Sequence, residues 1–162
     1  GADQVGGLRL YPLGRAKKNW AELSLSVDEM MRALNSVKVP PSVQLMQSWH
    51  PKDGNCCWQN AAVSPTGQSI GCPYLREYVD FGNVTERPFL ETWDHPLYRQ
   101  LRQSDVEETC AECSQTQGTL GGCRSTAYAF HGRFTASDPY CIHNNQGVDL
   151  NVLPQWLLRE DT

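Results

Sequence analysis

The feature that most constrains the fold of this chain is a spaced array of seven cysteines among 162 residues. Cys57 and Cys72 flank a glycine in a C-x9-G-x4-C unit. The others are Cys56, Cys110, Cys113, Cys123 and Cys141. Thiolates at such short spacings suit soft-metal or iron–sulfur sites. Because an odd count leaves one cysteine over, and because a chain of this length does not usually need stapling, metal-bound thiolates are favoured over disulfides.

Charge and hydropathy exclude several classes of protein. The chain has 14 Lys and Arg against 18 Asp and Glu, without a basic cluster, which argues against binding nucleic acid or an anionic membrane surface. Its apolar runs are too short to span a bilayer, and no signal-peptide pattern opens the chain, so we expect a cytoplasmic protein. The chain begins at Gly1 in mid-pattern. We interpret it as the C-terminal portion of a longer protein.

The first part of the chain predicts one β/α unit. Residues 5–13 have the character of a buried strand that ends near a proline. Ser26 and Glu29 form a capping-box pattern, and apolar residues at helical spacing predict an amphipathic helix over 27–37. A further strand is possible over 43–49. A strand followed by a helix is expected to close a parallel sheet or barrel that lies upstream.

Beyond this unit the composition shifts to Cys, Gly, Asn and Pro, which places a domain boundary between about 40 and 52. Two short segments around Gly67 predict a β-hairpin that folds Cys57 and Cys72 back beside each other. Apolar residues after Pro88 predict two short helices divided at His95-Pro96, with Trp93 in their core face. A helical turn near 125–130 and a terminal helix within 152–158 complete the expected elements.

The cysteine array resembles that of the SPASM domain, the C-terminal auxiliary iron–sulfur domain of radical S-adenosylmethionine (SAM) enzymes. The segment Gly82-Asn83-Val84, the Leu90-Glu91-Thr92-Trp93 run and the Gly121-Gly122-Cys123-Arg124 turn with Asp138-Pro139-Tyr140-Cys141 are similar to family motifs. The latter ending resembles members that act on modified haems or on the quinone-precursor peptide. The resemblance covers about residues 50–145. Residues 1–40 resemble the last strand and helix of the radical SAM partial barrel, with Pro12-Leu13-Gly14-Arg15-Ala16 as its strand end.

The resemblance implies an α+β fold in which the end of a (β/α) partial barrel precedes a small, loop-rich domain. We expect the barrel end at 1–45, the SPASM domain with a β-hairpin and short helices around its clusters at 46–145, and a tail, with a short helix, at 146–162. Two auxiliary iron–sulfur clusters of the 4Fe-4S type are implied. The first would be bound by Cys57, Cys72 and Cys123, and the second by Cys110, Cys113 and Cys141.

Two ligand positions remain open. Cys56 is either a further ligand of the first cluster or a buried thiol, because adjacent residues rarely direct both side chains to one cluster. Thr119 occupies the position where the family pattern has the central cysteine of the second cluster. That cluster would then have three thiolates and an open iron, or a different fourth ligand. The candidates for that ligand are Asp105, Glu112 and His131.

The resemblance implies auxiliary clusters that transfer electrons or position the substrate during radical modification of a peptide or tetrapyrrole, with an electron-donor protein as a possible partner. The chain lacks the C-x3-C-x2-C motif of a SAM cluster, so we do not expect it to cleave SAM alone. The alternatives are a non-catalytic iron–sulfur module that docks a peptide or partner enzyme, and a zinc-stabilised module. Arg9 and Arg15 are expected at the surface, with binding of SAM or a carboxylate as the other interpretation.

Overall fold

In the computed structural model, residues 1–47, 60–103, 105–114, 121–143, 145 and 147–159 are described. Two parallel strands, β1 (Gln4–Gly7) and β2 (Gln44–Gln47), pair in register from Gln4 opposite Gln44 to Gly7 opposite Gln47. The helices α1 (Gly14–Lys18), α2 (Trp20–Leu23) and α3 (Val27–Ser36) connect them. Parallel strands need such a crossover, so this part of the chain is a β-helix-β connection.

The first strand is shorter than the expected 5–13. It ends at Gly7, and Leu8 is exposed whereas Arg9 is buried. The strand stops there, and beyond it Arg9 bonds the buried carboxylate of Asp138 while Tyr11 stacks on Tyr74. The second strand falls inside the expected 43–49, of which the last two residues lie outside the described ranges.

The helix predicted over 27–37 is confirmed as α3, which ends one residue earlier, at Ser36. The Ser26 side chain accepts the Glu29 N–H, and the Glu29 carboxylate accepts the Ser26 N–H at 2.9 Å, which completes the capping box. Met30 is buried on the inner face of the helix, and Leu34 packs beside it. The apolar residues that predicted this helix therefore include those that pack into the core.

The predicted hairpin is present as a tight antiparallel turn. Val63 pairs with Ser69, and Ser64 N–H donates to the Gln68 carbonyl at 2.8 Å. Gly67 has a φ of 86°, and an added Cβ would lie 2.4 Å from Asn83 Oδ1, so both conformation and space require glycine here. The hairpin leads to Cys72, while its expected partner Cys57 lies outside the described residues.

The predicted pair of helices is confirmed. Helices α4 (Phe89–Trp93) and α5 (Pro96–Gln103) are separated at Asp94 and His95, because Pro96 has no N–H to continue the first helix. They pack on a 3-10 turn, Pro73–Leu75, and α6 (Glu108–Ala111) follows. Their buried cluster contains Cys72, Leu75, Phe81, Tyr98 and Leu101.

The last elements are α7 (Arg124–His131) and α8 (Gln155–Leu158), at the two expected positions. A second buried cluster joins the N-terminal helices to both: its members are Trp20, Met30, Ala129, Phe130, Tyr140, Leu150, Leu153 and Leu157. Trp20 Nε1 also donates to the Leu150 carbonyl at 2.7 Å. The mixed helix and small sheet agree with the expected α+β class; the barrel end and the domain boundaries stay predictions.

No helix in the part of the chain that the structure describes is long and apolar enough to cross a bilayer.

Candidate metal centre

The C-x2-C pair lies at the C-terminal end of α6. Cys113 N–H donates to the Cys110 carbonyl at 3.3 Å, which folds the pair into one turn. Cys110 is buried and Cys113 is half-buried. Within the described ranges no disulfide joins the cysteines.

Cys72 begins the 3-10 turn, where its carbonyl accepts the Leu75 N–H at 2.9 Å. Only 2% of Cys72 is exposed, and its side chain belongs to the cluster around α5. The expected ligand Cys57, the adjacent Cys56 and the open position at Thr119 lie outside the described residues. Their contacts therefore stay predictions.

Cys123 is the N-cap residue of α7, directly after two glycines. Its side chain makes no capping bond; instead its N–H donates to Asp138 Oδ2 at 2.8 Å. Gly122 has a φ of 75°, and an added Cβ would lie 2.6 Å from the Asp138 Cβ. Only glycine therefore fits between the cysteine and this carboxylate.

Cys141 lies in the same neighbourhood. Its N–H donates to the backbone carbonyl of Asp138 at 2.9 Å, and it is half-buried. An open cleft of about 460 Å³ separates the Cys141–His143 segment from the first turn of α3. One aspartate thus accepts backbone hydrogen-bond donors from both Cys123 and Cys141.

Asp138 forms a buried ion pair with Arg9. Arg9 Nη1 lies 3.1 Å from Asp138 Oδ2, and the side chains are 4% and 7% exposed. Burial opposes ionisation of Asp138, but the Arg9 charge and hydrogen bonds from Cys123 N–H, Thr126 and Tyr140 hold the pKa of this carboxyl below its ordinary value. The pair therefore remains charged inside the protein.

The guanidinium of Arg9 also stacks between two aromatic rings. Its carbon lies 5.1 Å from the ring centroids of both Tyr11 and Tyr140, which is cation–π distance. Arg9 Nη2 donates to Thr126 Oγ1 at 3.2 Å. The prediction that Arg9 lies at the surface was wrong, because Asp138 compensates its burial; Arg15 is exposed as expected.

A second buried cation, Arg124, holds the glycine turn in place. Its Nη1 donates to the carbonyls of Phe134 and Ala136 at 2.7 and 2.8 Å, and its Nε donates to Gly122 at 3.2 Å. Its Nη2 bonds the Gly121 carbonyl. The planar fork of arginine satisfies these carbonyls together, which a lysine cannot do.

Five of the seven cysteines lie in a segment that matches a known protein family. A sequence profile named SPASM and described as an iron-sulfur cluster-binding domain matches residues 56–114. Over this segment the chain is similar to the SPASM domain. The match contains Cys56, Cys57, Cys72, Cys110 and Cys113, and it ends before Cys123.

Known relatives of this chain support the same similarity to SPASM proteins. An AdoMet-dependent heme synthase of Methanosarcina barkeri is 38% identical over 84 residues, covering 50% of this chain and 23% of that protein. The mycofactocin maturase MftC of Mycobacterium ulcerans is 29% identical over 175 residues, covering 95% of this chain and 47% of that protein. A PqqA peptide cyclase of Rhizobium meliloti is 30% identical over 86 residues, covering 51% and 23%. The chain thus spans less than half the length of each, and the resemblance to radical SAM/SPASM enzymes is confirmed.

The chemistry of the described cysteines fits an iron–sulfur cluster. The thiols of the described cysteines are buried or half-buried, and the carboxylate that accepts the Cys123 N–H is paired with a buried arginine. Within the described residues, no three Cys, His, Asp or Glu side chains are grouped to hold a metal ion. Each predicted cluster also includes a position outside those ranges, so the ligand assignment stays a prediction.

The alternative fourth ligands lie in different surroundings. Asp105 and Glu112 are exposed. His131 is half-buried, and its Nε2 is buried without a hydrogen-bond partner in the described part of the chain. Burial, assisted by the charge of Arg133, lowers the pKa of His131, which favours the neutral imidazole.

Sequence reasoning missed Asp138 and its pair with Arg9. The available signal was the Asp138-Pro139-Tyr140-Cys141 motif, which was read for its cysteine alone.

Proposed function

We propose that the chain is the C-terminal portion of a radical SAM/SPASM enzyme and that it holds two auxiliary 4Fe-4S clusters. The first cluster would be bound by Cys57, Cys72 and Cys123, with Cys56 as a further candidate. The second would be bound by Cys110, Cys113 and Cys141, with Thr119 at the position that lacks a thiolate. The observation that carries this proposal is the SPASM match, which contains five of the seven cysteines.

Bound clusters would supply one-electron transfer to or from a substrate radical, or a site that positions the substrate. The chain's own residues would hold the cluster loops in place and keep water from them. Cys72 is buried among Leu75, Tyr98 and Leu101, and the rings of Tyr11 and Tyr140 lie on either side of the Arg9 guanidinium. Burial of ligands and the hydrogen bonds of the ligand loops are means by which a protein tunes cluster potential.

The proposed substrate is a peptide or a tetrapyrrole. The relatives' names indicate haem synthesis, mycofactocin maturation and cyclisation of the PqqA peptide. The SAM-cleaving cluster would lie outside this chain, which has no C-x3-C-x2-C motif. A reductant protein would supply the electrons.

The experiment is anaerobic purification of the chain followed by analysis of iron, sulfide and zinc. We expect about eight iron and eight sulfide per chain, since each 4Fe-4S cluster contributes four of each. Cys72→Ser and Cys113→Ser should each remove roughly half of this iron and alter different electron paramagnetic resonance (EPR) signals. Zinc without iron or sulfide would instead show a tetrahedral structural site.

The same preparation tests the open position at Thr119. With three thiolates on the second cluster, Mössbauer spectra of the iron-57 protein should show one iron site with a distinct isomer shift. Four-thiolate ligation at both clusters would contradict an open iron.

A further inference from the structure

The Arg9–Asp138 pair connects the N-terminal segment to the loops that carry two predicted ligands. Asp138 Oδ2 accepts both Arg9 and the Cys123 N–H, at 3.1 and 2.8 Å. Its Oδ1 accepts the Thr126 hydroxyl at 2.7 Å and the Tyr140 N–H at 3.1 Å. With these donors in place, the carboxylate has little freedom to rotate or shift.

We propose that Asp138, held by Arg9, is a positioning residue for Cys123 and that the pair sets the net charge beside this cysteine. The proposal rests on the proposed function, because Cys123 is there a ligand of the first cluster. One buried carboxylate oxygen of Asp138 contacts both the Cys123 peptide N–H and the Arg9 guanidinium.

Burial makes the charge balance of this pair important. Arg9 and Asp138 are each more than nine-tenths buried, so water screens their charges poorly. As an intact pair they contribute almost no net charge beside Cys123. Removing one partner leaves the other charge uncompensated inside the protein.

The two single changes should therefore act on a cluster in opposite directions. Asp138→Asn keeps a similar shape but leaves Arg9 unpaired, and the added positive charge favours the reduced cluster. Arg9→Gln leaves the carboxylate, which retains its bonds from Cys123, Thr126 and Tyr140, and the negative charge favours the oxidised cluster. A purely structural role predicts no such reversal of sign.

The test compares the midpoint potential of the first cluster in Asp138→Asn, Arg9→Gln, the double variant and Arg9→Lys. Anaerobic redox titration followed by EPR gives the potential. Asp94→Asn and Arg99→Gln are matched controls, because they make the same charge changes in an exposed ion pair whose side chains are 57% and 53% exposed. Iron and sulfide content of the unmodified protein, measured first, reports on the proposed function separately.

We expect a higher potential in Asp138→Asn, a lower one in Arg9→Gln, and intermediate values in the double variant and Arg9→Lys. Shifts of the same sign in both single variants, or shifts no larger than those of the controls, would overturn the proposal. If the charge variants fail to fold or hold iron, Thr126→Val decides. It removes one hydrogen bond from each partner, a donor to Asp138 and an acceptor for Arg9 Nη2, and keeps both charges. A shift in potential no larger than those of the Asp94→Asn and Arg99→Gln controls supports the proposal, and a larger shift refutes it.

Discussion

Replacement of Gly122 by alanine tests the fit between the glycine turn and the carboxylate that holds Cys123. Gly122 has a φ of 75°, a left-handed conformation that costs an L-residue about 1–2 kcal/mol. The new Cβ would also lie 2.6 Å from Asp138 Cβ and 2.8 Å from its Oδ2. Neither atom can move away easily, because Asp138 is bound to Arg9 and to the Cys123 N–H.

The magnitude follows from these two contributions. Overpacking in a buried site costs about 1–3 kcal/mol, and the smaller unfolded-state entropy of alanine offsets about 0.4–1 kcal/mol, so Gly122→Ala should destabilise the protein by about 1.5–4 kcal/mol. Gly14→Ala is the matched control, since Gly14 has a φ of 52° but no neighbouring atom within 4 Å of the added Cβ. It should cost only about 1 kcal/mol, because a smaller unfolded-state entropy offsets part of the strain.

The assay is anaerobic urea unfolding followed by tryptophan fluorescence, which the five tryptophans of the chain provide. With a slope of about 1–3 kcal/mol per molar urea, Gly122→Ala should lower the midpoint by about 1 M or more, and Gly14→Ala by roughly half of that or less. All samples must carry equal iron and sulfide, because bound clusters add their own stabilisation. Equal midpoints for the two variants would refute the argument that Asp138 restricts this position.

Further changes test the remaining features. Arg124→Lys should cost about 3 kcal/mol in urea unfolding, because a single ammonium leaves buried carbonyls unsatisfied, whereas Arg133→Lys at the surface should change little. Ser26→Ala should cost about 1 kcal/mol at neutral pH. Hydrogen bonds from Ser26 hold the pKa of Glu29 below its ordinary value of 4.5. The stability that these bonds contribute is therefore present above pH 4.5 and is lost as the pH falls through the lower pKa of the folded state. A loss of stability in Ser26→Ala that stays the same in acid would contradict this pH dependence. Thr119→Cys should slow chelator-induced loss of the second cluster, measured by visible absorbance; an unchanged rate would mean that this position does not face the cluster.

The local elements were predictable because their causes lie within a few residues of sequence. The capping box at Ser26, the glycine-requiring turn at Gly67 and the break before Pro96 each rest on backbone geometry or hydrogen bonding between near neighbours. The resemblance to the SPASM domain was predictable from the cysteine spacing for the same reason, since spacing along the chain is itself the signal.

The surroundings of the cysteines were not predictable in this way. Arg9 and Asp138 are 129 residues apart, and neither has an oppositely charged residue within four positions in the sequence. A lone arginine in an apolar segment is ordinarily expected at the surface, because a buried charge is costly unless it is paired. Arg9 pairs with Asp138 only because the fold brings the segment after β1 next to the residues around Cys123.

The amino-acid sequence by itself determined the donor atoms of the candidate centre, the order in which they occur and the caps and turns between them. Tertiary structure alone decided which charges lie beside those donors, that β1 stops at Gly7, and that the fork of Arg124 holds the glycine turn. The physical reason is that donor chemistry and turn conformation belong to individual residues and their neighbours. Burial and charge compensation depend on groups that only folding brings into contact.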